Sequence, residues 1–474
     1  MLDLKEYCQG LNISSMHREN MFLNLSYKVR DYLYFTCSKT IEWSLIFLIA
    51  VVPLIVNPKA YDYWYKPKIE SVYVLIIIAG FAWFFKAVIK DKSFCWKSSS
   101  ITIPLLFYAA TFILSTLFSI DFRRSLNGDI FRCEGLYTLL AYVSLVFLFI
   151  NQVKTQIMAR NLFIGLVICS ALVSIYGLFQ YFFYDPTAHF LIKYLPTRIG
   201  ISSTIGNSNF LGKYLVLVIP LVLSFYLNRN SFVMKFLILT ALLLCLAALV
   251  LTFTRASWLS MILGFSLYLF LAFRNYLLEV GKRRFVFLGV ILVLIICFLD
   301  VYRAEKSFLG SGRVYERITS VFKDKRSQGV ATRLFVWKRA LPLIKEKPWL
   351  GHGPETFEIA FKKDNIDYME TFNDFVSIDR AHNNYIDIAF AHGLIGLGAY
   401  LTVIGAFLIH LLNLLKKSGN RCHKLLYVGI ISGYCGYLFN DIFIFSVVSV
   451  SPTFWSLMGL IIAKGRLEHS VREK

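Results

Sequence analysis

His382 stands where the polar stretch Asp379-Arg380-Ala381-His382-Asn383-Asn384-Tyr385 meets an apolar helical run that continues to Gly393-Leu394-Ile395-Gly396. An imidazole at such a junction takes up a proton near neutral pH, which suits a general base, with Asn383 beside it in support. A hydrogen-bonded histidine capping the helix is the plainer alternative. Two arginines could work with it. Arg255, in Thr252-Phe253-Thr254-Arg255-Ala256-Ser257-Trp258, is flanked by apolar stretches, where an ionisable group is costly unless partnered. Arg333 opens an amphipathic stretch four residues before Trp337. Guanidinium groups grip phosphate with two prongs and stay charged at physiological pH, so the pair would suit a lipid-linked phosphate or diphosphate leaving group. Snorkelling to lipid headgroups would equally account for Arg255, and a solvated helix face for Arg333.

Other polar groups could line the same place. Arg132 and Glu134 lie in Phe131-Arg132-Cys133-Glu134-Gly135, and Gln180 closes an apolar run. Arg198 precedes the Gly/Ser/Asn-rich segment Ser202–Tyr214, which carries Lys213 and reads equally well as a loop with a helix cap. Asn440-Asp441 ends a later apolar run and brings a carboxylate that could orient His382. His352, in a glycine turn, and His392 read as ordinary structural histidines. No Cys/His spacing or carboxylate cluster resembles a metal site, and no cofactor motif is present, so metal and cofactor are both expected to be none.

The elements that must hold these residues are membrane helices. Of the 474 residues 57% are apolar and only 17% charged, and the apolar residues fall in runs long enough to cross a bilayer. Twelve spans are expected: roughly 41–56, 71–86, 101–119, 135–150, 161–183, 210–227, 232–251, 256–273 and 285–301, then 394–414, 425–442 and 445–463. The fold class is therefore all-α integral membrane. It divides into a leader (1–40), helices one to nine (41–301), a large outward loop carrying the site (302–393), helices ten to twelve (394–463) and a tail (464–474). Within the loop, Leu334, Trp337, Leu341 and Ile344 predict a helix behind a Thr332 cap, ended early or kinked by Pro342.

The formal charge of +21 would suggest nucleic acid in a soluble chain, but here it reads as cytoplasmic loops and contact with membrane lipids; no nucleic-acid partner is expected. With the N-terminus inside, short cytoplasmic segments hold 25 Lys/Arg and outward connections 9, so both termini should be cytoplasmic. The first span starts late, behind a charged leader, and reads as an uncleaved anchor. Of nine cysteines only Cys133 faces out, which rules out an internal disulfide on that side.

The Thr252–Trp258 segment, the Arg333–Leu341 helix, the turn Pro348-Trp349-Leu350-Gly351-His352-Gly353-Pro354-Glu355-Thr356-Phe357, and His382-Asn383 followed by Gly393 and Gly396 occur in one order that resembles the bacterial O-antigen ligase and O-antigen polymerase superfamily. The resemblance runs from about residue 120 onward. It implies a metal-independent glycosyltransferase of the bacterial plasma membrane. Such an enzyme moves a glycan from a polyprenyl diphosphate carrier to an acceptor hydroxyl on a glycan, lipid or protein at the outer face. By the same resemblance His382 matches the base, and Arg255 and Arg333 match the arginines that hold the diphosphate. Members that glycosylate proteins often carry a helical-repeat extension after the last span; this chain stops soon after span twelve, which points away from a protein acceptor. Ligation and polymerisation share these motifs. A lipid-linked glycan flippase would need charges lining the membrane interior and repeated halves, neither of which the first nine spans suggest, and a scaffold would not need His382.

Overall fold

The computed structural model describes residues 15–57, 62–91, 97–183, 200–275, 328–364 and 378–472. Among these residues every regular element is helical. The order is α1 (Ser15–Ala50), α2 (Lys66–Lys86), α3 (Thr102–Leu117), the short α4 (Phe122–Asn127), α5 (Leu136–Gln152), α6 (Gln156–Phe182), α7 (Ser208–Asn228), α8 (Phe232–Leu251) and α9 (Arg255–Arg274). It continues with α10 (Gln328–Glu346), α11 (Phe357–Asp364), α12 (Asn384–Lys417), α13 (Arg421–Asn440) and α14 (Ser451–Arg472). Seven of these, α1 from Lys28, α2, α6, α7, α8, α9 and α12, are long and apolar enough to cross a membrane, and α3 and α5 are shorter apolar helices. The expected span at 285–301 lies outside the described residues, as do Arg198 and the loop segments 302–327 and 365–377.

The helix starts follow local chemistry. Asp62 accepts from the backbone N–H groups of Trp64, Tyr65 and Lys66 ahead of α2. Thr155, Asn207, Asn383 and Asn420 cap α6, α7, α12 and α13 with their side chains. Three boundaries differ from those the sequence suggests. The leader and the first span form one helix, because no Gly or Pro interrupts Ser15–Ala50. The helix expected at 394 begins at Asn384, where Asn383 caps it. The last helix begins at Ser451 rather than 445, with Pro452 in its first turn, since residues 441–450 are drawn into other bonds.

Helix α7 is the hub, with 89% of its apolar window buried, and it packs on α8, α9 and α13. The closeness to α13 needs small residues: a Cβ on Gly433 would lie 2.3 Å from the Leu217 carbonyl oxygen, and one on Gly429 2.6 Å from that of Pro220. Around this hub α5 packs on α14, α3 on α12, and α1 on α2 and α6. The outward faces stay apolar, as at Phe81, Ile103 and Phe232, which suits hydrocarbon rather than water.

Candidate functional site

The floor of the site joins two backbone irregularities that satisfy each other. Gly393 (φ 69°) breaks α12, so the carbonyls of Phe390 and Ala391 lose their usual donors one turn on. The N–H groups of His352 and Gly353 replace them at 2.9 and 3.0 Å, and Leu394 N–H donates to the Pro348 carbonyl at 2.7 Å. A Cβ at Gly393 would fall 2.1 Å from the Trp349 carbonyl oxygen, so the turn can seat here only on glycine. His352 Nε2–H donates to the Leu343 carbonyl at 2.7 Å, and its ring stacks on Phe390. His392 Nδ1 lies 2.7 Å from Ser115 Oγ. Both are structural, as their sequence context suggested.

Helix α10 forms the wall, with three corrections to its expected shape. It begins at Gln328, four residues before the Thr332 expected to cap it. It runs through Pro342 to Glu346, because Lys338, whose carbonyl the proline leaves unpaired, is exposed to solvent. Its buried face is Val336, Ala340, Leu343 and Ile344 against Phe390 and Ala391, while Leu334 and Leu341 point outward, since the smaller side chains let α10 lie close on α12.

Between wall and floor hangs the tripeptide Arg380-Ala381-His382. Ala381 N–H donates to Asp387 Oδ1 at 2.8 Å, and its carbonyl accepts from Trp337 Nε1 at 2.9 Å. Arg380 pairs with Glu355 and, at 3.7 Å, with Glu134, which also accepts from Tyr142 and Ser446. Asn383 caps α12 by accepting from Tyr385 and Ile386 N–H, and Asn384 N–H donates to the Asp441 carbonyl at 2.8 Å. The cap therefore belongs to Asn383, and among the described residues the His382 ring makes no hydrogen bond. Its closest ring neighbour is Phe445, at 5.3 Å between centroids. Arg132 and Arg380 also lie over Phe445, at 5.0 and 5.6 Å, so this ring gathers three site residues. Sequence reading missed Phe445 because it sits within an apolar run. A cavity of about 60 Å³ lies behind Arg380, lined by Glu134, Tyr142, Asp387, Tyr437 and Ser446 among others.

Backbone strain is present at this place. Five described non-glycine residues have positive φ between 51° and 63°; of these Glu355 and His382 are site residues, Cys133 and Phe253 lie within two residues of Arg132 and Arg255, and Ser203 lies apart, bonded to Gln180. Burial pushes His382 down to about 4, and Arg333, Arg132 and Arg380 add to this against the opposing pull of Asp379. The ring is thus neutral and able to accept a proton at physiological pH. Burial pushes Glu355 up to about 7, with Arg380 working the other way and Glu134 reinforcing it. Burial likewise lowers Arg333.

The arginines divide into two kinds. Arg132 donates to Asp379 at 2.7 Å, Arg380 pairs with two glutamates, and Arg124 pairs with Asp129 and Glu358, both at 2.8 Å. Arg255, at the start of α9, and Arg333 have no acidic partner among the described residues, and the Arg255 Nε is buried without a hydrogen bond. The other expected residues have structural partners. Lys213 forms an ion pair with Asp441 in the core, and Asp441 accepts from Asn384 and Tyr400 rather than reaching His382. Gln180 accepts from Ser203 N–H at 2.7 Å. Asn440 donates to Ser257 and Ser260, joining the Arg255 end of α9 to the segment that meets Asn384.

Residues 240–401, which include Arg255, Arg333, His382 and the Gly393 break, match the family model described as O-antigen ligase. That stretch is similar to the O-antigen ligase family. An uncharacterized protein of Haemophilus influenzae is 22% identical over 375 residues, covering 77% of this chain and 83% of that one. The matched stretch begins inside α8 and ends inside α12, so it spans the histidine and both arginines that lack an acidic partner among the described residues.

Proposed function

We propose that the chain is a membrane glycosyltransferase that moves a glycan from a polyprenyl diphosphate carrier to an acceptor hydroxyl at the outer face of the bacterial plasma membrane. The observation that carries this reading is the pairing contrast: of the site arginines, Arg255 and Arg333 alone lack an acidic partner among the described residues, and the Arg333 charge helps to hold the His382 imidazole neutral. Uncompensated half-buried cations favour an anion, and the diphosphate supplies one. The acceptor oxygen attacks the anomeric carbon as the bond from that carbon to the diphosphate oxygen breaks. The leaving diphosphate keeps the electron pair and is stabilised by Arg255 and Arg333, while His382 takes the hydroxyl proton. Arg132, Arg380 and Asn383 hold the histidine segment in place. No metal is needed where two guanidiniums neutralise the leaving group.

In this reading twelve helices cross the membrane, both termini are cytoplasmic and 302–393 faces outward, in keeping with the Lys/Arg bias. A cysteine introduced as Lys363→Cys should be labelled from outside intact cells; labelling only after permeabilisation would reverse the orientation. The purified chain in lipid, given a polyprenyl diphosphate-linked glycan and an acceptor, should transfer in the presence of a chelator. A strict need for Mg²⁺ or Mn²⁺ would contradict the mechanism. In a deletion strain, accumulated carrier-linked full-length polymer identifies ligation, and accumulated single repeats identify polymerisation.

A further inference from the structure

A second feature lies at the far end of the bundle from His382. Helix α7 starts beside the Lys213–Asp441 pair and runs about 30 Å to Arg229. There an apolar groove of about 310 Å³ opens between α6, α7 and α8, floored by Phe163, Val167 and Phe225 and flanked by Ile168, Leu237 and Ile238. Its lining on α6 runs from Phe163 to Leu172, about 14 Å of helix, close to the hydrocarbon depth of one leaflet. Ile168, Leu172 and Leu237 are exposed, so the groove opens sideways toward lipid.

Its mouth is cationic. Arg229 lines it directly, Arg160 heads the α6 face that carries Ile164, Val167, Ile168 and Ala171, and Lys235 lies one turn before Ile238. The described residues 151–183 and 200–254, which contain all three helices and the α5–α6 and α7–α8 connections at this end, include no Asp or Glu. We infer that this groove binds an anionic phospholipid, one acyl chain lying along α6 and the phosphodiester held by Arg229 and Arg160. The combination decides the occupant: an apolar slot one leaflet deep takes a hydrocarbon chain, and an acid-free basic mouth selects a negative headgroup over a zwitterionic one. The site is separate from the proposed glycosyl transfer and does not rest on it.

The test uses the full chain, purified, stripped of lipid and examined by native mass spectrometry after addition of either phosphatidylglycerol or phosphatidylcholine. Phosphatidylglycerol should be retained in clear preference. Arg160→Ser and Arg229→Ser should each lower that preference about fivefold, and Ala171→Trp, which fills the slot, should lower retention of both lipids. Equal retention of the two lipids, a preference unchanged in the Arg160→Ser/Arg229→Ser double variant, or retention of neither lipid would overturn the inference.

Discussion

Two buried charged groups lie within a few residues of each other at one end of this bundle, and they are built on opposite terms. Lys213 and Asp441 form a closed pair, with side-chain exposures of 1% and 0%. Lys213 also donates to the Phe445 carbonyl and lies over the Tyr437 ring at 4.3 Å, and Asp441 accepts from Asn384 and Tyr400. The group around His382 is open: among the described residues its imidazole makes no hydrogen bond, and Arg333, whose charge reaches it, has no acidic partner, as Arg255 at the start of α9 has none. A closed pair has nothing left to offer a ligand and serves the fold. An open group carries an electrostatic cost that a bound anion relieves, so burial alone does not mark a functional charge; the missing partner does.

Substitutions should separate the two. His382→Ala should lower transfer by about 10²–10⁴-fold with protein abundance unchanged, measured on the purified chain in lipid. Asp441→Asn or Lys213→Met, each stranding one buried charge, should destabilise the fold by about 3–5 kcal/mol, read as a large drop in thermal unfolding temperature. Arg333→Leu should do the reverse on the same assay, leaving the fold unchanged or more stable while weakening donor binding. Destabilisation by Arg333→Leu as large as that by Asp441→Asn would erase the contrast.

The pH dependence sharpens it further. With His382 at about 4, the acidic limb of kcat/KM, which reports the free enzyme, should fall near pH 4 rather than 6.5. Because the fold keeps the imidazole neutral, its stabilising contribution is present above pH 6.5 and is lost as pH falls through about 4. Glu355 acts in the opposite sense: held up to about 7, its contribution is full below its ordinary value of 4.5 and is lost as pH rises through about 7. Glu355→Gln should flatten that second dependence in a thermal-unfolding series. The smallest effect is expected for Arg255→Lys and Arg333→Lys, which keep the charge but not the two-pronged contact and should weaken donor binding only in part.

Much of the site can be read from residue type and context. His382, Arg255 and Arg333 each break an apolar or helical pattern with a group that needs a reason to be there, and the glycine turn with Gly393 advertises an irregular backbone. What stays hidden is whatever depends on a partner distant in sequence. Arg380 looks like the polar end of a loop until Glu134, from the start of α5, and Glu355 are found on it. Phe445 looks like one more apolar residue of a span until Arg132, Arg380 and His382 gather round its ring. Lys213 and Asp441 each read as available until they are seen to consume one another. Spacing alone does not fix the buried face of α10, because Leu334 and Leu341 share helical spacing with Ile344 just as Val336 and Ala340 do, and only packing against α12 decides between the two sets.

Binding of a polyprenyl diphosphate-linked glycan to the purified chain, measured in parallel with transfer, tests the central claim most directly. The account predicts that the Arg255→Ala/Arg333→Ala double variant loses donor binding, whereas His382→Ala binds donor as the unaltered protein does and fails to transfer. Donor binding that survives loss of both arginines, or transfer by His382→Ala at the unaltered rate, would contradict it.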